Sequence, residues 1–174
     1  RRGLPNLRKT PEALAELVKQ RAKDMLISLG IFSEAEVTSR FHVRVERYIK
    51  NMLIEVDTLL GMFETQILHA AYAYHGILLS AAVDAKMLGF VAPQTDTIEA
   101  LSALIISLQR DRKSLEAEIH EVEAVSGEEK KARSLAVKVC SMMESVRGTC
   151  DKLEAIIADE YWPLPKYREM LFIS

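Results

Sequence analysis

Glycine, proline and cysteine are all scarce in this chain of 174 residues, which holds 7 Gly, 5 Pro and 2 Cys. So few turn-forming residues disfavour an all-β fold or an enzyme core rich in loops. Two cysteines are too few for a disulfide scaffold. On one helix, Cys140 and Cys150 would lie ~15 Å apart, beyond disulfide reach. We therefore expect free, buried or half-buried thiols, which suit a reducing cytoplasm.

The net charge is also small: the 23 Lys and Arg residues nearly balance the 25 Asp and Glu residues, which leaves −2. The chain as a whole therefore lacks the basic footprint of a nucleic-acid-binding protein. Apolar residues make up 49% and charged residues 28%, which excludes a disordered or fibrous chain. The composition predicts a helical, globular protein and leaves its function open.

Neither a signal peptide nor a membrane helix is predicted. The sequence opens at Arg1 rather than Met, without an apolar leader, which favours a processed product or a piece of a longer protein. The segment Thr65–Val83 carries no charge over 19 residues, enough to span a bilayer. Its Gln, His, Tyr and Ser residues reduce the apolar gain of insertion. We expect a helix at the centre of a bundle there, without membrane contact.

Capping signals and apolar periodicity predict an all-α fold. We expect one elongated helical domain over residues 1–174, with a short tail after its last helix. The predicted helices cover residues 11–29, 34–88, 97–124 and 127–160, and the tail covers 161–174. The clearest start signal is the capping box Ser33–Glu36, and Gly30 has the position of a C′ residue. In the second helix, we expect a bend near Gly61 or Gly76.

The last two predicted helices carry apolar residues at steps that alternate between 3 and 4. This heptad spacing, joined by a tight polar turn, predicts a long antiparallel hairpin resembling a coiled coil. The seam positions are Ile98, Leu101, Ile105, Leu108, Arg112, Leu115, Ile119 and Val122, then Ala132, Leu135, Val139, Met142, Val146, Thr149, Leu153 and Ile156. Arg112 can keep its charged end in water while its stem follows the seam. The aromatic tail is expected to dock on its own bundle or on a neighbouring chain.

Motifs that carry chemistry are few. The sequence has no Gly-rich phosphate loop and no nucleophile elbow. Glu116 and His120 share a helix face, but a di-iron bundle needs Glu-x-x-His pairs, and none occurs. The remaining histidines and the closely spaced carboxylates show no convergence on a pocket. They are His42, His69 and His75, and the pairs Glu55 with Asp57, Asp111 with Glu118, and Glu121 with Glu123. We assign no catalytic, cofactor-binding or metal-binding residue.

Both ends of the chain nevertheless resemble one family. Residues 2–14, RGLPNLRKTPEAL, are similar to the segment that follows the catalytic barrel in type III glutamine synthetases. Residues 162–172, WPLPKYREMLF, resemble the C-terminus of that family almost letter for letter. Two further stretches, Tyr48–Asn51 and Gln66–Leu68, resemble parts of that family's long helix. His69 replaces the proline that the family has next, so the resemblance does not extend to a proline kink.

The resemblance implies a non-catalytic, C-terminal helical segment of a larger ligase. Such ligases condense glutamate and ammonia through a γ-glutamyl phosphate, using ATP and Mg or Mn, and assemble as dodecamers of two hexameric rings. The motifs for that chemistry lie upstream in the family and have no match here, so no cofactor is expected in this segment. The segment would support the catalytic barrel and contact neighbouring subunits in the cytoplasm, and by itself would be inactive.

Two other functions stay open. One is a free-standing helical module for protein interaction or scaffolding, and the other is a carboxylate-bridged metal bundle. The missing initial Met argues against the first alternative, and the missing Glu-x-x-His pairs argue against the second.

Overall fold

The computed structural model describes residue 3 and residues 6–171, and it contains no β-strand within that part of the chain. The predicted all-α class is confirmed. The α-helices are α1 (Thr10–Leu17), α2 (Gln20–Ser28), α3 (Glu34–Met62), α4 (Leu68–Met87), α5 (Thr95–Ala124), α6 (Glu128–Ser134), α7 (Cys140–Ile156) and α8 (Tyr167–Leu171). A 3₁₀ turn covers Asp159–Tyr161. The last predicted tail residues, 172–174, lie outside the described residues.

Two π-helical segments interrupt the α-helices without a loop. Phe63–Ile67 joins α3 to α4, so the helix runs for 54 residues, and Leu135–Val139 joins α6 to α7. The first π segment begins two residues after Gly61, where the Thr65 hydroxyl donates a hydrogen bond of 2.7 Å to the Gly61 carbonyl. At Gly76 the α-helix continues. The expected bend in this helix stays a prediction.

The first predicted helix is instead two helices, because the chain leaves helical geometry at Val18 and Lys19. Lys19 has an extended ψ of 143° and serves as the N-cap of α2 without a side-chain cap bond. No glycine or proline marks this break. At the end of α2, Gly30 adopts a φ of 64°, and its amide donates to Ile27 while the amide of Ile31 donates to Leu26. This Schellman geometry confirms the predicted C′ glycine.

The predicted capping box at the start of α3 is formed. The Ser33 hydroxyl accepts a hydrogen bond from the Glu36 amide at 3.3 Å, and the Glu36 carboxylate accepts from the Ser33 amide at 2.8 Å. The Ser33 hydroxyl donates to the same carboxylate. The Ser33 backbone amide is the main cause that lowers the pKa of Glu36, with smaller contributions from the Ser33 hydroxyl and the charge of Arg40. Both residues thus satisfy otherwise unpaired groups at the helix start.

Replacing Ser33 by alanine is expected to lower the free energy of unfolding by ~0.5–2 kcal/mol, because a helix amide loses its cap. Ser126→Ala is the matched control, since Gly127 rather than Ser126 is the N-cap of α6. The control should change stability by less than ~0.5 kcal/mol. Urea unfolding of both variants measures the difference, and equal losses would contradict the capping role.

The described chain divides into two compact units. The first contains the described residues up to Asp57 together with Leu115–Met142. Here α1 packs against α6, and the apolar side of α3 forms much of the core. Its buried side chains include Val37, Phe41, Val45, Ile49, Met52, Val56, Leu115, Val122, Ala132, Leu135, Ala136 and Val139. The prediction of one single domain stays a prediction.

Within this unit, the end of α5 and the segment after it pair in antiparallel fashion. Lys138 forms an ion pair of 2.8 Å with Glu118, and Lys131 donates a hydrogen bond of 3.1 Å to the Glu123 carbonyl. The contact nearer the turn joins residues that are closer in sequence than those of the contact farther from it, which is the pattern of two antiparallel arms. Gly127 closes that turn with a φ of 95°, a value that favours glycine.

The second unit contains Thr58–Ser114 together with the described residues from Met143 onward. Its core joins α4, the first part of α5, α7 and the tail. The 3₁₀ turn packs against α4, where the Tyr74 and Tyr161 rings lie 5.8 Å apart. The buried side chains include Phe63, Ile67, Leu68, Ala71, Leu101, Ile105, Leu108, Val146, Thr149, Cys150, Leu153, Ile157 and Trp162. With Trp162 buried, the start of the tail is docked within this unit, whereas Met170 and Leu171 are exposed.

Candidate functional site

A histidine and a serine meet in the second unit, but their hydrogen bonds exclude an activated nucleophile. His75 Nε2 lies 2.7 Å from Ser102 Oγ, and the Ser102 hydroxyl donates to the Ile98 carbonyl at 2.7 Å. Because that hydroxyl has one proton, His75 Nε2 must be the donor in their bond. The histidine cannot then accept the serine proton, as a catalytic base would. The pair fastens α4 to α5.

The other histidines and carboxylates of the sequence analysis do not converge. His42 lies 3.6 Å from Glu128, and His120 lies 4.0 Å from Glu123. Among the described residues, no three His, Cys, Asp or Glu side chains are placed to hold a metal ion. The absence of assigned site residues stays a prediction.

Arg112, the one charged residue in the predicted seam, has a local partner. Its guanidinium forms an ion pair of 2.5 Å with Glu64 in the same unit. Glu64 lies in the first π segment, and the Arg112 side chain is only 30% exposed. The charge is therefore accommodated by pairing at the edge of the core, and the course of its stem along the seam stays a prediction.

The two cysteines are free thiols, as predicted. Burial, followed by the charge of Asp151, raises the pKa of Cys150 to about 11. Cys140 is half-buried and shares a hydrogen bond with Tyr48. Burial is the main cause that raises the pKa of Tyr48, ahead of the interaction with Cys140. The causes that act on Cys150 are therefore the opposite of the positive charges that activate a reactive cysteine.

Cys150 is expected to react with iodoacetamide at pH 8 far more slowly than Cys140, because its thiol is buried and seldom ionised. The single variants Cys140→Ser and Cys150→Ser allow each rate to be measured alone by mass spectrometry. In urea, both thiols should react at similar rates. Equal rates in the folded chain would contradict the burial of Cys150.

A shallow groove of about 450 Å³ lies in the second unit, lined by Arg147, Asp151, Glu154, Ala155 and Lys166. One of its charged residues, Lys166, already has partners nearby. Lys166 forms an ion pair with Asp159 and donates a hydrogen bond to the Glu154 carbonyl at 3.4 Å. The groove combines both signs of charge without a converging set of donors, so its geometry favours no ligand class.

The most distinctive surface of the second unit is apolar. We define the α4 face as the exposed large apolar residues of that helix, Tyr72, Ile77, Leu79, Val83 and Met87. The α4–α5 loop continues it with Phe90 and Val91, which are 70% and 91% exposed. The expectation of a helix surrounded within a bundle therefore fails for the second half of α4. No described helix is both long and apolar enough to cross a membrane.

The first unit has an apolar surface of its own. We define the α2 patch as Met25, Ile27, Leu29 and Ile31, at the end of α2 and in the turn after it. All four side chains are exposed in the described structure. Exposed apolar clusters of this kind mark contact surfaces in many proteins. Each unit thus offers a surface suited to packing.

Comparison with known proteins decides the family. Residues 1–86 match the family model described as glutamine synthetase C-terminal domain. A type-3 glutamine synthetase of Dictyostelium discoideum is 31% identical over 185 residues, which cover 99% of this chain and 24% of the relative. This chain belongs to the type III glutamine synthetase family. A glutamine synthetase of Bacteroides fragilis is 33% identical over 190 residues, which cover 99% of this chain and 25% of the relative.

A third relative, a glutamine synthetase of Butyrivibrio fibrisolvens, is 26% identical over 175 residues, which cover 99% of this chain and 25% of the relative. The chain spans about a quarter of the length of these glutamine synthetases. The family model ends at residue 86 and so includes most of the α4 face, whereas the relatives align through the later helices as well. The predicted resemblance is therefore confirmed.

Proposed function

We propose that this chain is the non-catalytic C-terminal helical part of a type III glutamine synthetase, supporting the catalytic barrel and the assembly of subunits. The whole protein would condense glutamate and ammonia with ATP through a γ-glutamyl phosphate. ATP and the Mg or Mn ions would then be bound by residues outside this segment. The function of the segment would be mechanical.

The observation that carries this proposal is the alignment of almost the entire chain with a quarter of each relative. A segment of that kind must share surfaces with the remainder of a longer protein, and both of its units expose apolar side chains suited to packing. His75 and Ser102 are also committed to a structural contact between α4 and α5. These features favour a supporting role for the segment over a catalytic one.

The partners follow from the same proposal. They are the catalytic barrel of the same protein and neighbouring subunits in a cytoplasmic homo-oligomer, which by resemblance is a dodecamer. Nucleic acid and membranes are not among them. Active sites need side chains held within a fraction of an ångström, so a rigid helical support beside a barrel preserves activity by holding that geometry.

The γ-glutamyl transfer assay tests the non-catalytic role. This chain alone, assayed at equal molar concentration beside a full-length synthetase that contains it, should show no turnover while the full-length protein is active. Turnover by the isolated chain would contradict the proposal. Light scattering on the same two samples provides their masses, and a full-length protein that stays monomeric would contradict the role in assembly.

A further inference from the structure

The first π segment adds one residue to the helix just before α4. The Leu68 amide donates to the Phe63 carbonyl, five residues back rather than four. Because each residue of an α-helix turns the chain by ~100°, the extra residue changes which later side chains face the core. Two regular turns from buried Phe63 lead to Ala70, whereas the structure buries Ala71 completely. The π segment therefore decides between two neighbouring stripes of α4.

The two stripes have nearly the same composition, and each residue of one directly precedes a residue of the other. The inward stripe, which is buried or half-buried, is Ala71, His75, Leu78 and Ala82. The preceding stripe is Ala70, Tyr74, Ile77 and Ala81. Pair by pair, alanine stands beside alanine, tyrosine beside histidine, isoleucine beside leucine, and alanine beside alanine. Residues of similar volume replace one another in a core at low cost, so either stripe can pack on the same neighbours.

A rotation of α4 that exchanged the stripes would bury almost no charge. Most surface helices cannot turn in this way, because their charged side would enter the core. The segment Thr65–Val83 has no charged residue. Asp84 would take the place of half-buried Ala85, but only in the last turn of the helix. The uncharged sequence thus removes the usual barrier to a second register.

Polar contacts hold α4 in the register that the structure shows. The Thr65 hydroxyl donates to the Gly61 carbonyl across the start of the π segment, and Glu64 within it pairs with Arg112. Farther along, His75 shares its hydrogen bond of 2.7 Å with Ser102 of α5. The last of these contacts would break if α4 rotated. The observed register is therefore favoured by a few polar contacts rather than by the apolar pattern.

We propose that the first π segment and α4 form a register switch. In the second register, Phe63–Ile67 is a regular α-helix, and α4 is rotated by ~100° and advanced by ~1.5 Å relative to Phe63. The preceding stripe then faces the core, and Ile77 is withdrawn from the α4 face. Helix register shifts of this kind take microseconds to milliseconds. The switch goes beyond the proposed function and does not depend on it.

Thiol reactivity at two adjacent positions tests the switch in this chain. Cys140→Ser and Cys150→Ser remove the native thiols, and Ile77→Cys or Leu78→Cys then introduces a single new one. Ile77 is 44% exposed and Leu78 is half-buried, so the thiol at position 77 should react several-fold faster with iodoacetamide. A rotation would reverse this order, whereas local unfolding would raise both rates.

Two separate variants favour the second register, so that misfolding of one leaves the other usable. Thr65→Ala removes the hydroxyl bond to Gly61 and favours a regular α-helix. Ala82→Gln places a polar side chain on the inward stripe, which the rotation would move into water. Ala81→Gln is the matched control, because Ala81 is exposed in the observed register. Deleting Gln66 removes the extra residue, so that a regular α-helix holds the later residues in their present places.

We expect Thr65→Ala or Ala82→Gln to slow the thiol at position 77 and to speed the thiol at position 78, each several-fold. Ala81→Gln should leave both rates unchanged, and deleting Gln66 from either variant should restore the original order. A reversal in one of the two variants that the deletion abolishes supports the switch. Rates that rise together or stay unchanged in both variants, or a reversal that survives the deletion, would overturn it.

Discussion

Replacing Phe63 by alanine is expected to remove ~3–5 kcal/mol from the free energy of unfolding of this chain, the usual cost of deleting a buried aromatic side chain. Phe63 is only 1% exposed and begins the first π segment. It packs in the core of the second unit, where neighbouring side chains can close the resulting cavity only in part. A loss of this size is a large fraction of the stability of a typical domain.

Phe90→Ala is the matched control for this prediction. It removes the same side chain from the same unit, but at a position that is 70% exposed in the α4–α5 loop. The change should be within ~0.5 kcal/mol in this chain. Urea unfolding followed by circular dichroism measures both variants. Similar losses for Phe63→Ala and Phe90→Ala would contradict the placement of Phe63 in the core.

The single variant Trp162→Ala is also expected to lower the free energy of unfolding by ~3–5 kcal/mol, because it too leaves a cavity in the core. Trp162 follows the 3₁₀ turn and is only 8% exposed, so the start of the tail is anchored within the second unit. Limited proteolysis provides a second measurement, because loss of the Trp162 contact should release the tail and expose the bond after Lys166 to trypsin. An unchanged stability and cleavage pattern would contradict the docked tail.

Trp162→Phe separates the two components of the Trp162 contact. The indole Nε1 is buried, and no described residue accepts a hydrogen bond from it. Phenylalanine keeps most of the apolar area and removes this unpaired donor, whose burial is unfavourable. We expect Trp162→Phe to lose less than ~1.5 kcal/mol, as conservative core replacements do. A loss equal to that of Trp162→Ala would indicate that a polar contact of the indole is essential.

Heptad spacing predicted the burial of most seam residues, since positions three and four apart share one side of a helix. Leu101, Leu108, Leu135 and Leu153 are all fully buried. Capping chemistry was equally informative at Ser33 and Gly30, because those contacts are made by residues close together in sequence. The coiled-coil geometry of the predicted hairpin stays a prediction.

Features that depend on neighbours distant in sequence were missed. The break at Val18 and Lys19 has no glycine or proline to signal it, and a π segment needs only one shifted hydrogen-bond register. The segment Thr65–Val83 was likewise expected at the centre of a bundle, whereas the structure exposes Ile77 and Ala81 within it. Periodicity reports which residues share a side, and the surrounding fold decides whether that side is covered.

The candidate surface was only partly predictable. The uncharged segment Thr65–Val83 was evident in the sequence, and it was interpreted as the interior of a bundle. What sequence patterns cannot supply is the set of helices around α4, which leaves Leu79 and Val83 open to solvent. The same limitation applies to His75 and Ser102, which lie 27 residues apart in sequence and whose contact joins two helices.

Sedimentation velocity, combined with the glutamate–ammonia ligase assay, tests the central claim most directly. The full-length synthetase is compared with a version that lacks the 174 residues of this chain. We predict that the shortened protein forms smaller assemblies and loses most of its activity, because the barrel and its subunit contacts lose their helical support. A shortened protein with unchanged assembly size and unchanged activity would contradict the account.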